Sequence, residues 1–362
     1  MAKELLMGNE AIGLGAIHAG VSLVSGYPGT PSTEILETVA RHNDDGRIHI
    51  EWSVNEKAAL EVAAGGAYAG ARTLVTMKQV GLNVASDPLM SLAYVGVKGG
   101  MVIVAADDPG PISSQTEQDT RHFGAFSKLP VFDPSSPEEA YEMVEDAFEY
   151  SEKYETPVLL RPTTRVCHGC ATVELKEEAT RKEPEGFLKD TSRWVIFPRL
   201  SYQNHMKIEK RNVELSHVFS SYRYNTVEGK ADSRKGIATG GISYAYTREA
   251  VPEEIRLLRV GTPQGSPVRA SGAQHRRTDG KRGHLFCGCS LCLIPCHKFR
   301  NKAPQVFPDA FCAIFPCIPG ISGQLALDVH GKMVFARYLQ KFRLNNRVQF
   351  FYDQHFVKPF QE

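Results

Sequence analysis

Several things are missing from this 362-residue sequence, and each absence excludes something. No run approaches the 18 or more apolar residues that cross a bilayer, and the N-terminus lacks the basic, then apolar, then small-residue order of a signal peptide. The expectation is a cytoplasmic protein with no membrane partner. No G-x-G-x-x-G follows the first strand with an acidic residue about 20 positions on, and no G-x-x-x-x-G-K-[ST] occurs, so neither NAD nor P-loop chemistry is expected. Charge of one sign is also missing: 42 Lys+Arg face 41 Asp+Glu, a formal +1, and no nucleic-acid partner is expected. Eight Cys are too few for a disulfide scaffold of this length.

The near-zero charge hides a split. Residues 1–262 carry a net −8 and residues 263–362 a net +9; the second part holds six of the eight Cys and a single Glu, Glu362. The two parts are therefore read separately.

In the first part, strand-like and helix-like segments alternate. A helix over 9–19, with Asn9 as its N-cap, leads to the strand 21–25, the turn Gly26-Tyr27-Pro28-Gly29-Thr30-Pro31-Ser32, and a helix over Thr33 to Arg41. The strand 49–54 runs into a small-residue helix over 55–71, and further strands fall at 73–77, 101–105, 131–132 and 158–161. Ser136-Pro137-Glu138-Glu139 is a capping box with Pro at the first helical position, opening a helix with Ala140, Met143, Val144, Ala147 and Phe148 on one face.

Continuously apolar strands alternating with helices predict an α/β fold, a parallel sheet covered on both faces. Ligands then bind at the carboxyl ends of the strands, in the loops 26–32, 54–57 and 78–83. Residues 176–234 read as a linker and connecting segment. A second α/β unit starts at Lys235, with a glycine turn at Gly240-Gly241, a helix over 242–250 and a strand over 255–260. Its remainder is expected downstream.

Three features carry chemistry. The 26–32 turn exposes hydroxyls and N–H groups at a helix start, suited to a carboxylate or phosphate, although Ser32 could simply cap its helix. Glu56 lies just past a strand end in the first turn of an Ala- and Gly-rich helix; the helix N-terminus favours its anion and burial its neutral acid. That position suits proton exchange with a weakly basic heterocycle, and suits equally a mere first-turn acid. Cys167-His168-Gly169-Cys170 has the spacing of half a metal or redox site, with no second pair nearby.

Together these segments resemble one family. Glu4 to Ile12, Gly26 to Ser32, Ser53-Val54-Asn55-Glu56-Lys57-Ala58, Thr76 to Pro88, Asp107-Asp108-Pro109-Gly110 with Ser113-Ser114-Gln115, and Arg193 to Pro198 are similar to the α subunit of indolepyruvate ferredoxin oxidoreductases, from Met1 to about Pro263. The resemblance implies thiamine diphosphate as cofactor and a pyrimidine-binding domain over 1–175, with a truncated second domain over 235–262. It implies that Glu56 bonds the aminopyrimidine ring, whose amino group helps deprotonate the thiazolium carbon. Gln79, Gly81 and Asn83 then line the cofactor cleft, and Tyr27, Pro28, Thr30 and Ser32 form the substrate-side loop. Aryl pyruvates lose carbon dioxide, electrons pass through 4Fe-4S clusters to ferredoxin, coenzyme A takes the aryl-acetyl group, and a smaller β subunit is the partner.

The family's magnesium and diphosphate motif, Gly-Asp-Gly with a downstream Asn, is not found; Asp44-Asp45-Gly46 and Thr278-Asp279-Gly280 lack its flanks. The expectation is a chain inactive alone. For the tail after Pro263 two readings compete. One is a cluster or zinc site at Cys287, Cys289, Cys292 and Cys296, with Cys312 and Cys317 in reserve, in a stand-alone metal-binding protein. The other, favoured by the change of composition, is a shifted reading frame and a disordered tail. A half-subunit module completed by a separate diphosphate-binding chain is the remaining alternative.

Overall fold

The computed structural model describes residues 3–181, 183–233 and 235–263, and the backbone of two short strands at 284–287 and 292–295. The rest of the 263–362 tail, with Thr278-Asp279-Gly280, Cys289, Cys296, Cys312 and Cys317, lies outside the described residues.

The chain opens with β1 (Lys3–Met7), α1 (Gly8–His18), β2 (Leu23–Gly26), α2 (Thr33–Arg41), β3 (His49–Trp52), α3 (Glu56–Tyr68) and β4 (Thr73–Lys78). α4 (Gln79–Val84) follows β4 directly; then come α5 (Ser86–Val95), β5 (Met101–Ala106), α6 (Arg121–Ser127), β6 (Val131–Phe132), α7 (Pro137–Tyr154) and β7 (Val158–Leu160). α8 (Thr164–Cys167), β8 (Cys170–Glu174), α9 (Thr191–Trp194), α10 (Pro198–Phe219) and β9 (Val227–Glu228) lead to β10 (Lys235–Thr239), α11 (Ile242–Ala250), β11 (Arg256–Arg259), β12 (His284–Cys287) and β13 (Cys292–Pro295).

Six strands form one sheet in the order β3-β2-β4-β5-β7-β6, every neighbouring pair parallel. Successive residues of the buried central strands point to opposite faces. Leu74, Val102 and Val104 enter a core with residues of α1, α2 and α7, while Val75, Ile103 and Ala105 enter another with residues of α3 and α5. The α/β architecture with helices on both faces is thus present. From β2 the chain moves outward to β3, returns past β2 to β4, and continues the other way to β5. The order therefore reverses between β2 and β4, and in such sheets the crevice at that reversal is where ligands bind.

Four local expectations need correction. Asn9 is not an N-cap: α1 begins earlier because the Glu10 carboxylate accepts the Met7 N–H at 2.9 Å, leaving Asn9 buried inside the helix. Residues 79–83 are not a loop, since α4 starts as β4 ends. The connecting segment 176–234 contains the 22-residue α10. At α7 the Ser136 hydroxyl accepts the Glu139 N–H at 3.3 Å as a cap should, but the Glu139 carboxylate turns to the N–H of Ser135 at 2.9 Å, so the reciprocal half of the box is shifted by one residue.

The second sheet runs β13-β12-β10-β11-β9, with β10 parallel to both β11 and β12 and antiparallel strands at its edges. It is fastened to the first around β6: the Asp133 N–H donates to the Gly261 carbonyl at 2.8 Å. Arg259 pairs with Glu139 and packs over the rings of Tyr224 and Tyr244, 4.7 and 4.5 Å from their centres. Gly241, with φ +52°, is needed where it stands, because a Cβ there would fall 2.5 Å from Asp133 Oδ1. Among the described residues no helix is long and apolar enough to cross a membrane.

Candidate functional site

The three loops named from the sequence do meet at the carboxyl ends of β2, β3 and β4. Asn55 Oδ1 accepts the Ala58 N–H at 2.9 Å and caps α3, which sets Glu56 at the first helical position. The Ser25 hydroxyl donates to the Ala59 carbonyl at 2.7 Å and draws α3 against β2. Glu56 is only 7% exposed, while its neighbour Val54 is 84% exposed. Among the described residues no hydrogen bond or ion pair to the Glu56 carboxylate is found, so it is a buried acid whose bonding capacity is unspent.

Gly81 explains how α4 approaches so closely. A Cβ on it would lie 2.5 Å from Glu56 Oε1, 2.7 Å from Cγ and 2.8 Å from Cδ. Gln79 is fully buried; its Nε2 donates to the Thr116 carbonyl at 3.1 Å and its Oε1 has no partner. Three residues upstream, on β4, the buried Thr76 Oγ1 is also unpartnered. Asn83 differs: it is exposed and opens on a shallow groove of about 500 Å³ with Ser86, Met90, Phe123 and Phe126.

The Tyr27 to Ser32 turn divides by exposure. Tyr27, Pro28 and Thr30 face outward. Ser32 is buried and does not cap α2; its hydroxyl donates to the Gly29 carbonyl at 2.9 Å and closes the turn. The Thr33 hydroxyl accepts the Gly29 N–H at 2.8 Å. From beneath, Asn9 Nδ2 donates to the Pro31 carbonyl at 2.6 Å and to Glu34 at 2.8 Å, which is the work this residue does in place of capping. The turn is rigid because its own polar groups are consumed inward.

Sequence reasoning quoted Asp107 and Asp108 without giving them a role. Asp108 Oδ2 accepts the N–H groups of Ile112, Ser113 and Ser114 at 2.9, 2.9 and 3.0 Å, and Oδ1 accepts the Thr164 hydroxyl at 2.7 Å. Burial alone would raise its pKa, but these donors outweigh it and hold the carboxyl down at about 2. The loop so fixed carries the Thr116 carbonyl that Gln79 needs. Arg161 Nε donates to Asp107 at 2.6 Å and Nη1 to Asp133 at 3.2 Å, all three buried. Burial opposes the Arg161 charge, and Asp133, Asp107 and Asp119 overcome it, so the guanidinium holds its proton more firmly than usual. A spacing rule finds none of this, since partners 28 and 54 residues apart meet only through the sheet.

Cys167 is buried, and burial pushes its thiol up; Cys170 is exposed on β8. Among the described residues no group of three or more His, Cys, Asp and Glu could hold a metal ion. Cys287 and Cys292 stand opposite each other in the β12–β13 register, as backbone positions only.

Comparison with known proteins adds the following. The family described as pyruvate flavodoxin/ferredoxin oxidoreductase, thiamine diphosphate-binding, matches residues 14–227. The indolepyruvate oxidoreductase subunit IorA of Thermococcus kodakarensis is 43% identical over 301 residues, 81% of this chain and 45% of that protein. The subunit of the same name from Methanothermobacter thermautotrophicus is 44% identical over 336 residues, 91% of this chain and 51% of that one. The latter stretch is longer than residues 1–263 and so extends past Pro263. The chain spans about half the length of the curated relatives it matches. A solved 2-oxoglutarate:ferredoxin oxidoreductase from Magnetococcus marinus, with 2-oxoglutarate, coenzyme A and succinyl-CoA bound, is 21% identical with a TM-score of 0.61. It covers 74% of this chain and 55% of its own, a likeness of fold.

Proposed function

The chain belongs to the pyruvate flavodoxin/ferredoxin oxidoreductase family, in its thiamine diphosphate-binding part, and from that premise we propose that it forms the pyrimidine side of a thiamine diphosphate site in an oxidoreductase of aryl pyruvates. One observation carries the reading: a nearly buried carboxylate, Glu56, pressed against a glycine and left without a partner among the described residues, at the reversal of a parallel sheet. An aminopyrimidine, which offers both donors and acceptors, fits that carboxylate and the orphaned Gln79 Oε1.

When bound, thiamine diphosphate supplies the electron sink for loss of carbon dioxide from a 2-oxoacid. The chain's own part is as follows. Glu56 holds a proton between its carboxyl oxygen and a ring nitrogen, in a site dry enough for that bond to be strong. Gly81 keeps α4 close to the carboxylate, Gln79 orients the ring edge, and Asn83 stands at the open rim toward α5. Tyr27, Pro28 and Thr30 face the substrate, with Ser32 and Asn9 holding their turn in place. The aryl-acetyl group leaves on coenzyme A and electrons pass to ferredoxin with a β subunit as partner, by analogy with relatives named as oxidoreductase subunits. Magnesium and 4Fe-4S clusters have no ligand set among the described residues, and no step is assigned to them.

The test is Glu56→Gln in the chain co-expressed with a β subunit and a separate chain that supplies the diphosphate-binding half. Indolepyruvate-dependent reduction of ferredoxin should fall about 100-fold or more, and calorimetry should show weaker thiamine diphosphate binding. Unchanged turnover and unchanged binding in the variant would sink the reading.

A further inference from the structure

Three segments converge on the site, the turn 26–32, the stretch 54–57 and the β4–α4 junction at 78–83, and they contain two lysines, Lys57 and Lys78. Lys57 is spent, since its ammonium lies 2.9 Å from Asp87 on the outer surface. Lys78 is not. It is the last residue of β4, at the sheet's reversal point, and its stem lies across Gly29 of the substrate-side turn: a Cβ on Gly29 would meet Lys78 Cδ at 3.0 Å, Cγ at 3.2 Å and Cε at 3.4 Å. The Tyr27 N–H donates to the Thr76 carbonyl at 3.3 Å, so the turn and the end of β4 are tied together and the lysine is held over Gly29 by design of the backbone. Among the described residues no carboxylate pairs with Lys78 and no hydrogen bond engages it.

A half-buried cation on a central strand, packed against a turn whose outward groups are Tyr27, Pro28 and Thr30, lacks only its anion. We propose that Lys78 binds the carboxylate of the 2-oxoacid substrate and so selects acids over neutral carbonyl compounds. The assignment rests on the reading of the site given above. The ammonium places the carboxylate beside the turn, Gly29 is small because the lysine stem needs its space, and the aryl ring is left to the apolar exposed groups of the loops. The charge-assisted bond supplies orientation as well as attraction.

The test uses the full chain with thiamine diphosphate and magnesium in excess, titrated with phenylpyruvate and with its neutral isostere phenylpyruvamide. Wild type should prefer the acid about tenfold, as a hydrogen bond to a charged group allows. Lys78→Met should bring the two affinities together and Lys78→Arg should keep most of the preference. Thiamine diphosphate is titrated separately on each protein: its binding should be unchanged by either substitution, and its failure in wild type would count against the cofactor reading alone. Raising ionic strength from about 0.05 to about 0.5 M should shrink the wild-type preference even if Lys78→Met does not fold. No measurable phenylpyruvate binding, equal wild-type affinity for acid and amide, a salt-independent preference, or full preference in Lys78→Met overturns the proposal.

Discussion

At the scale of single residues, the site depends on small side chains that admit large ones. Gly81 is the clearest case, because the space its Cβ would take is the space of the Glu56 carboxyl. Gly81→Ala should destabilise the fold by no more than about 2 kcal/mol: helix propensity gains about 1 kcal/mol, set against crowding of about 1–3 kcal/mol as the nearly buried Glu56 carboxyl is pushed aside. Thiamine diphosphate binding should nonetheless fall steeply. A melting curve with a calorimetric titration checks both, and a variant that binds normally would mean the close approach has no bearing on the ligand. Glu56 was visible in the sequence because a strand end, a helix cap and a run of small residues coincide there. Lys78 was not, since only the fold shows that its stem crosses Gly29 and that the other lysine is already paired.

Elements show where sequence patterns carry and where they fail. α2 and α11 have the bounds the pattern predicts, Thr33–Arg41 and Ile242–Ala250, because turn residues fence each helix on its N-terminal side. α10 escaped notice because Leu200, Asn204, Ile208, Leu215, Ser216 and Phe219 bury a narrow, partly polar stripe among charged neighbours, too thin to stand out. β1 pairs with β8 far along the chain, Lys3 opposite Glu174, and the exposed start of β1 gives no alternation to read. The loop from Pro109 to Thr116 is held chiefly by the Asp108 carboxylate, with Glu117 accepting the Gly110 N–H at 2.9 Å. Asp108 has its pKa lowered by the fold, so its contribution is complete above about pH 4 and is lost as pH falls toward about 2. Pepsin should therefore cut between residues 109 and 118 far faster at pH 2 than at pH 4, and Asp108→Asn should cut readily at both. Equal rates for the wild-type chain at the two pH values would refute this.

For the molecule as a whole, the question is how the second sheet is held. Arg259 is the hub: it is mostly buried, pairs with Glu139 at the start of α7 and stacks on Tyr224, which packs against the first core, and on Tyr244 of α11. Arg259→Ala should cost about 2 kcal/mol, the sum of a partly buried ion pair and two ring contacts. Cleavage by trypsin should become faster in residues 220–260 with the six-stranded sheet unaffected, and uniform loss of resistance across both sheets would show that the hub does not hold this junction. The second sheet takes its edge strand β9 from before Lys235, and the alternation of strands and helices foresaw only the parallel sheet. That alternation could not foresee the buried Asp107–Arg161–Asp133 triad, whose members look like ordinary surface charges until the sheet brings them together.

One feature of β4 reaches further. The strand passes into α4 between Lys78 and Gln79 with no intervening residue, and Thr76, Lys78, Gln79 and Gly81 follow one another within six positions. An added or deleted residue between Lys78 and Gly81 would turn the rest of α4 by about 100° about its axis and carry Gly81 off Glu56, and one within the end of β4 would carry Lys78 off Gly29. Length change is therefore barred from this segment in any descendant that keeps the site. Evolution can retune it only by substitution.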